Sequence, residues 1–230
     1  MVYNLSGGMI VFEGIIENCT LFQGLSKTDR EYALTFFEAR SAHYEKGDFL
    51  NRIGDPLPAF GLVLSGTIQV YMDDIDGQPM IMANVSAGGT FGESLNFLGT
   101  DTAVYIYAFT DADVLWMKSR NIRSRSGPCD PRDTLLSNRF TAMLAGRTLD
   151  MNNRIQILSN LTLREKLITF FSQAVSNSGS TRFTLPFDRE SMAVYLGTNR
   201  SALSRELSKM RDEGIISFQK NEFTIIKKNS

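Results

Sequence analysis

The sequence predicts an α+β chain made of a β-rich front, one long helix and a compact helical back that ends in a hairpin. Three observations carry this. Short runs of branched and aromatic residues, separated by glycine and aspartate turns, fill the chain up to Met117. A breaker cluster, Gly127-Pro-Cys-Asp-Pro131, then gives way to a stretch whose apolar residues recur at helical spacing. Beyond Leu161 come amphipathic helices, a glycine turn and two short β runs. A length of 230 residues suits two domains sharing a connector, at roughly 100–150 residues per domain.

In the front, Lys27 to Phe37 reads as a short helix and Tyr44 to Leu50 as an extended segment. Gly61-Leu-Val-Leu-Ser-Gly-Thr-Ile-Gln-Val-Tyr71 reads as one strand running into a hairpin turn at Asp73–Gly77, with Pro79 to Val85 as the return strand. Ala87-Gly-Gly-Thr-Phe-Gly92 is a glycine-rich crossing, and Thr102–Phe109 and Val114–Met117 supply two further strands. Many short strands with regular turn signals imply a compact barrel or sandwich.

The middle is a single helix over residues 131–160. Phe140, Leu144, Thr148, Met151, Ile155 and Leu158 follow one another at steps of four and three, the spacing of a coiled-coil seam. One core helix of a single chain would show the same stripe.

The back begins with a helix from Thr162 to Val175 and a short strand over Arg182–Leu185. Asp188 caps a helix ending near Tyr195, Leu196-Gly-Thr198 is a tight turn, and Thr198 or Asn199 caps a second helix from Arg200 to about Asp212. Gly214 stops that helix, and Ile215–Phe218 and Glu222–Ile226 form the closing hairpin. Helix, three-residue turn and helix have the spacing of a helix-turn-helix. Met192, Ala193 and Leu196 face Leu203, Leu207 and Met210, which leaves Arg200, Ser201, Ser204 and Arg205 outward. Arginines flanked by small hydroxyl residues suit a helix lying in the major groove of double-stranded DNA, where arginine pairs bidentately with guanine. Ser191, Thr198 and Asn199 are placed to reach phosphates, and Lys220 can do so from the hairpin tip.

Charge supports the division. Residues 1–130 carry 9 basic and 16 acidic side chains, whereas residues 161–230 carry 11 and 7. An acidic sensor joined to a polyanion binder has this asymmetry. Composition also excludes chemistry. One histidine, His43, cannot build an HxH or HExxH metal site, so metal-dependent oxygenase chemistry on a small barrel is not expected and no enzyme is predicted. Cys19 and Cys129 stand 110 positions apart and read as two separate thiols; a redox pair would need Cα atoms within about 7 Å. The apolar runs fall short of the ~20 residues that span a bilayer, and no basic residue precedes Lys27, so a cytoplasmic protein without membrane contact is expected.

Phe187-Asp-Arg-Glu-Ser-Met-Ala-Val-Tyr-Leu-Gly-Thr-Asn-Arg-Ser-Ala-Leu-Ser-Arg-Glu-Leu207, with Met210 and Gly214-Ile-Ile216, resembles the winged helix-turn-helix of the CRP/FNR transcription regulators. Gly61-Leu-Val-Leu-Ser-Gly66 and Gly89-Thr-Phe-Gly-Glu93 are similar to the glycine signatures of that family's cyclic-nucleotide-binding domain. The resemblance covers about residues 17–226. It implies an N-terminal β-roll (a double-stranded β-helix of jelly-roll type) over residues 1–130, a dimerisation helix over 131–160 and a winged helix-turn-helix over 161–230. It also implies a homodimer on a palindromic operator, base reading by Arg200, Ser201, Ser204 and Arg205, and contact with RNA polymerase if the regulator is an activator.

The effector is where the sequence departs from the family. Cyclic-AMP-binding members place an Arg-Ser/Thr-Ala after the Phe-Gly-Glu stretch to grip the cyclic phosphate. Here Gly92 and Glu93 are kept, but the later triplet reads Asp101-Thr102-Ala103. Two anions at ~4 Å repel by about 4 kcal/mol at an effective dielectric near 20, which argues against cyclic AMP. Two cysteines are too few for the family's iron–sulfur cluster. A haem would fall to His43, Cys19 or a methionine, and His43 beside Tyr44-Glu-Lys-Gly47 reads as a surface residue. The expected effector is another small molecule in a pocket of Val70, Met72, Met82, Phe91, Gly92, Glu93, Ser94, Leu95, Asp101, Thr102 and Ala103; the apolar members would equally fill a closed barrel. A regulatory module acting through protein contacts is the alternative reading.

Overall fold

A computed structural model describes residues 12–73, 79–123, 130–185 and 187–226. The elements in order are α1 (Glu13–Asn18), α2 (Lys27–Phe36), β1 (Arg40–Tyr44), β2 (Phe49–Asn51), β3 (Phe60–Ser65), β4 (Thr67–Asp73), β5 (Pro79–Ser86) and β6 (Thr90–Phe91). There follow α3 (Glu93–Leu98), β7 (Tyr105–Ala108), β8 (Ala112–Met117), α4 (Arg120–Arg123) and α5 (Pro131–Leu158). The chain closes with α6 (Leu163–Ser178), β9 (Arg182–Thr184), α7 (Arg189–Tyr195), α8 (Arg200–Asp212), β10 (Ile216–Gln219) and β11 (Glu222–Ile225). The fold is α+β, as the sequence predicts. The chain divides into two compact units, Met1–Ala145 and Gly146–Ser230, and the division falls inside α5.

The first unit holds two antiparallel four-stranded sheets, ordered β1-β8-β3-β6 and β2-β7-β4-β5. The run Gly61–Tyr71, expected as one strand, is two strands in different sheets. Gly66 lies between them at φ +76, and a Cβ there would stand 2.0 Å from the Asp111 carbonyl oxygen. Only glycine lets the chain cross between sheets that close to backbone. β3 is buried on both faces because alternate residues serve different layers. Phe60, Leu62 and Leu64 join Leu115 and Met117 of β8 in a cluster with α1, α2 and the first half of α5. Val63, Ala112 and Val114 point the other way and meet Ile68, Ile106 and Ala108 of the second sheet. The hairpin turn expected after Asp73 and the breaker cluster before Pro131 fall partly outside the described residues.

α5 corrects one reading outright. Phe140, placed by sequence on an intermolecular seam, is 1% exposed and lies against Phe37, Phe60 and Phe97 with centroids 6.5, 5.4 and 5.6 Å away. The four-and-three stripe begins on the helix's own core side, and sequence spacing does not say which side of a stripe a neighbour occupies. Leu144 is half-buried at the edge of the same cluster.

The second unit is built on α6, α7 and α8 around Leu167, Phe171, Met192, Leu203 and Leu207, closed by the sheet β10-β11-β9. α6 opens with a reciprocal cap: Thr162 accepts from the Glu165 amide and the Glu165 carboxylate accepts from the Thr162 amide. Those bonds hold the Glu165 carboxyl below its usual range. Removing the hydroxyl leaves the Glu165 amide without a protein acceptor, so Thr162→Ala is expected to lower the stability of this unit by about 1 kcal/mol in denaturant melts.

Candidate nucleic-acid interface and effector pocket

The interface is assembled around the turn between α7 and α8. Asp188 caps α7 by accepting from the Ser191 amide at 2.7 Å, which holds its carboxyl below the usual range, with a smaller contribution from Arg200. Gly197 in the turn takes φ +63, and Asn199 caps α8 by accepting from the Ala202 amide at 2.8 Å. Of the two caps proposed by sequence, Asn199 makes the bond, so its carboxamide oxygen is committed to the helix. Met192, Ala193, Leu196, Leu203, Leu207 and Met210 are all buried to 1% or less, as the helical spacing requires. Across the unit, Arg164 of α6 pairs with Glu206 and Glu213, fixing the roll of α8.

Locking one side of α8 exposes the other. Arg200, Ser201, Ser204 and Arg205 are exposed, and Lys209 continues the face. Among the described residues neither Arg200 nor Arg205 has an ion-pair or hydrogen-bond partner. Their guanidinium groups are thus available to an external acceptor. Ser191 is exposed and Thr198 half-buried. Lys220 is exposed at the hairpin tip between β10 and β11 with a left-handed backbone, φ +51. Sequence reasoning missed the role of Arg189. It donates to the Lys220 carbonyl at 2.8 Å. No local signal could show this, because its partner lies 31 positions away.

The expected effector pocket is only partly brought together. Phe91 is buried and Val70 and Leu95 are half-buried in the cluster between the two sheets. Met72 is half-buried, and Glu93 is 3% exposed at the start of α3, behind left-handed Gly92. Met82 is not there. The register slips between Val70 and Tyr71, so Ala83 faces Val70 while Ile81 faces Tyr71, and Met82 is the bulge residue, 51% exposed. Ser94, Asp101 and Ala103 are exposed. Thr102 is buried but spent: its hydroxyl donates to the Arg52 carbonyl at 2.7 Å and accepts from Asn51 at 3.0 Å. Its backbone closes on Gly54 and Asp55 as well. The triplet Asp101-Thr102-Ala103 therefore clasps the loop after β2.

His43 of β1 faces Asp113 of β8 at 2.9 Å, and Asp113 also accepts from Ser65 at 2.7 Å. The hydrogen bond to Asp113 raises the His43 pKa above 6.5. A raised folded-state pKa favours the folded protonated form, so this contribution is complete below pH 6.5 and fades as pH rises through the higher folded value. Asp113→Asn is expected to move the His43 titration down, as read by NMR. Cys19 is buried, and Cys129 lies outside the described residues. Among the described residues no group of three or more His, Cys, Asp or Glu side chains is placed to hold a metal. Nor is any described helix long and apolar enough to cross a membrane.

Comparison with known proteins matches both units. The Crp-like helix-turn-helix domain family covers residues 163–229, and the cyclic nucleotide-binding domain family covers residues 41–124. The cyclic AMP receptor protein of Thermus thermophilus is 24% identical over 196 residues, 85% of this chain and 87% of that protein. The cAMP-dependent protein kinase regulatory subunit of Dictyostelium discoideum is 29% identical over 104 residues, 45% of this chain and 31% of that protein. The crystal structure of Thermus thermophilus catabolite activator protein superposes with a TM-score of 0.51 at 22% identity, covering 90% of this chain and 93% of that one.

Proposed function

The chain belongs to the CRP/FNR family of DNA-binding transcription regulators, and on that premise we propose that it acts as a homodimer on a palindromic operator. In this reading residues 1–130 sense the signal, residues 131–160 dimerise, and residues 161–230 bind DNA in the cytoplasm. The observation that carries it is the outer face of α8. Among the described residues Arg200 and Arg205 make no ion pair or hydrogen bond, and they stand among serines on a helix whose other side is buried. That combination suits base edges of the major groove, with Ser191, Thr198 and Lys220 on flanking phosphates.

Dimerisation is supported by what α5 leaves uncovered. Leu135, Leu149, Met151, Ile155 and Leu158 are 42%, 63%, 65%, 57% and 40% exposed. Leu135, Ala142 and Leu149 stand seven apart, as do Thr148 and Ile155, and Met151 and Leu158. Apolar rows at heptad spacing on a solvated helix suit a second copy. The rows replace Phe140 at the start of the seam with Leu135 and Ala142. Effector binding would then act through α5 on the separation of the two α8 helices, whose productive value is one turn of DNA, about 34 Å.

The effector in this reading is a small molecule other than cyclic AMP. The relatives' names speak for that nucleotide. Against it stand an aspartate at the phosphate position and a threonine whose hydroxyl already serves the Arg52 carbonyl. Selection from a random duplex pool, with and without small-molecule extract of the source cells, tests the whole reading. A palindrome with half-sites one helical turn apart is expected; no enriched site under either condition would overturn it. Adding cyclic AMP alone is expected to change nothing.

A further inference from the structure

We infer that Arg189 is a positioning residue for the wing, holding the Lys220 backbone so that the lysine side chain meets phosphate, while Arg189 itself stays off the DNA. The inference rests on the reading above that Lys220 is a phosphate contact. Three observations carry it.

The first is where the guanidinium goes. Arg189 is half-buried, and its Nη2 donates to the Lys220 carbonyl at 2.8 Å. Its Cζ lies 5.1 Å from the Phe218 ring centroid and 5.0 Å from that of Phe223, one ring from each strand of the hairpin. Desolvation pulls its pKa down, in keeping with a cation turned inward. Arg200 and Arg205 show the contrary arrangement, exposed and unbonded among the described residues.

The second is the backbone it grips. Gln219 and Glu222 are paired, so Lys220 and Asn221 form a two-residue loop. Lys220 takes φ +51, a conformation that favours glycine. A lysine kept in a glycine conformation needs an external hold. Both loop carbonyls have one: Arg189 on Lys220, and the Leu185 amide on Asn221 at 2.9 Å.

The third is reinforcement from α8. The Arg211 Cζ lies 5.6 Å from the same Phe218 ring, so the hairpin is tied to α7 and to the recognition helix. A wing clamped to both helices would reach its phosphate in register with α8 and with no loop ordering at binding.

The test is duplex affinity against salt for Lys220→Ala, Arg189→Gln and the double variant, with amide exchange over residues 219–222 in the free protein. One lost phosphate contact lowers the log–log slope by about 0.9, and a homodimer on a palindrome loses two, one per protomer, so the slope falls by about 1.8, which is about 12-fold in affinity between 50 and 200 mM salt. Each single variant is expected to lose about one contact per protomer, the double variant no more, and wing amides are expected to exchange faster in Arg189→Gln. If Arg189→Gln does not fold, Arg189→Lys, a cation without the planar fork, is read instead. Additive loss in the double variant would mean that Arg189 touches phosphate itself and would overturn the positioning role. A normal slope and normal wing exchange in Arg189→Gln, with the slope reduced in Lys220→Ala, would overturn that role alone. A normal slope in Lys220→Ala would sink the wing contact and the inference with it.

Discussion

Arg205→Ala and Arg200→Ala are each expected to cost about 1–3 kcal/mol of discrimination between the operator and a duplex mutated at the contacted base, roughly 5–150-fold. The expectation follows from freedom on one side and constraint on the other. Neither guanidinium group makes an ion pair or hydrogen bond among the described residues, so no intramolecular bond has to break before a base is engaged. Meanwhile Leu203 and Leu207 are buried and Arg164 holds Glu206 and Glu213, so α8 cannot roll to offer other residues. Truncating exposed side chains outside the core changes stability by only about 0.5 kcal/mol, so lost discrimination would not reflect unfolding. Binding competition between matched and mismatched duplexes is the measurement. An unchanged ratio in both variants would remove these arginines from base reading and leave them as general contacts to the backbone.

The recognition unit was legible because its determinants are local. A period of three and four selects Leu203, Leu207 and Met210; Asp188 and Asn199 are helix caps; Gly197 and Gly214 mark turns. Each signal spans only a few residues, and each is realised in the structure. What escaped depends on contacts across the chain. Gly61–Tyr71 has the composition of one strand, and only the nearby Asp111 carbonyl shows that Gly66 is a crossing between sheets. Met82 alternates correctly for an inward residue until the bulge opposite Val70 and Tyr71 shifts it outward. Thr102 sits in a motif position suggestive of a ligand, and its use as a clasp on Arg52 is set 50 positions away. The recognition surface could therefore be read from the sequence, whereas the effector pocket could not. A helix face is set by spacing, and a pocket by which distant strands meet.

Phe140 and the exposed rows of α5 allow the core role of that helix to be separated by experiment from the dimerisation proposed for it. Phe140→Ala is expected to destabilise the first unit by about 3–5 kcal/mol, because a 1% exposed ring among Phe37, Phe60 and Phe97 leaves a cavity that aromatic neighbours cannot fill. The double variant Leu149→Glu/Ile155→Glu is expected to leave that melting transition nearly in place, since these side chains are 63% and 57% exposed within the chain. It should instead convert a dimer to a monomer in sedimentation, because two carboxylates per helix would face an apolar seam, and burying an unpaired charge is strongly unfavourable. The monomer should also lose the palindromic site far more than an isolated half-site, since the second half-site contributes only while the two α8 helices are joined. A double variant that stays dimeric would place the seam elsewhere on α5 or off the helix altogether, and a Phe140→Ala protein that melts normally would return that ring to the interface.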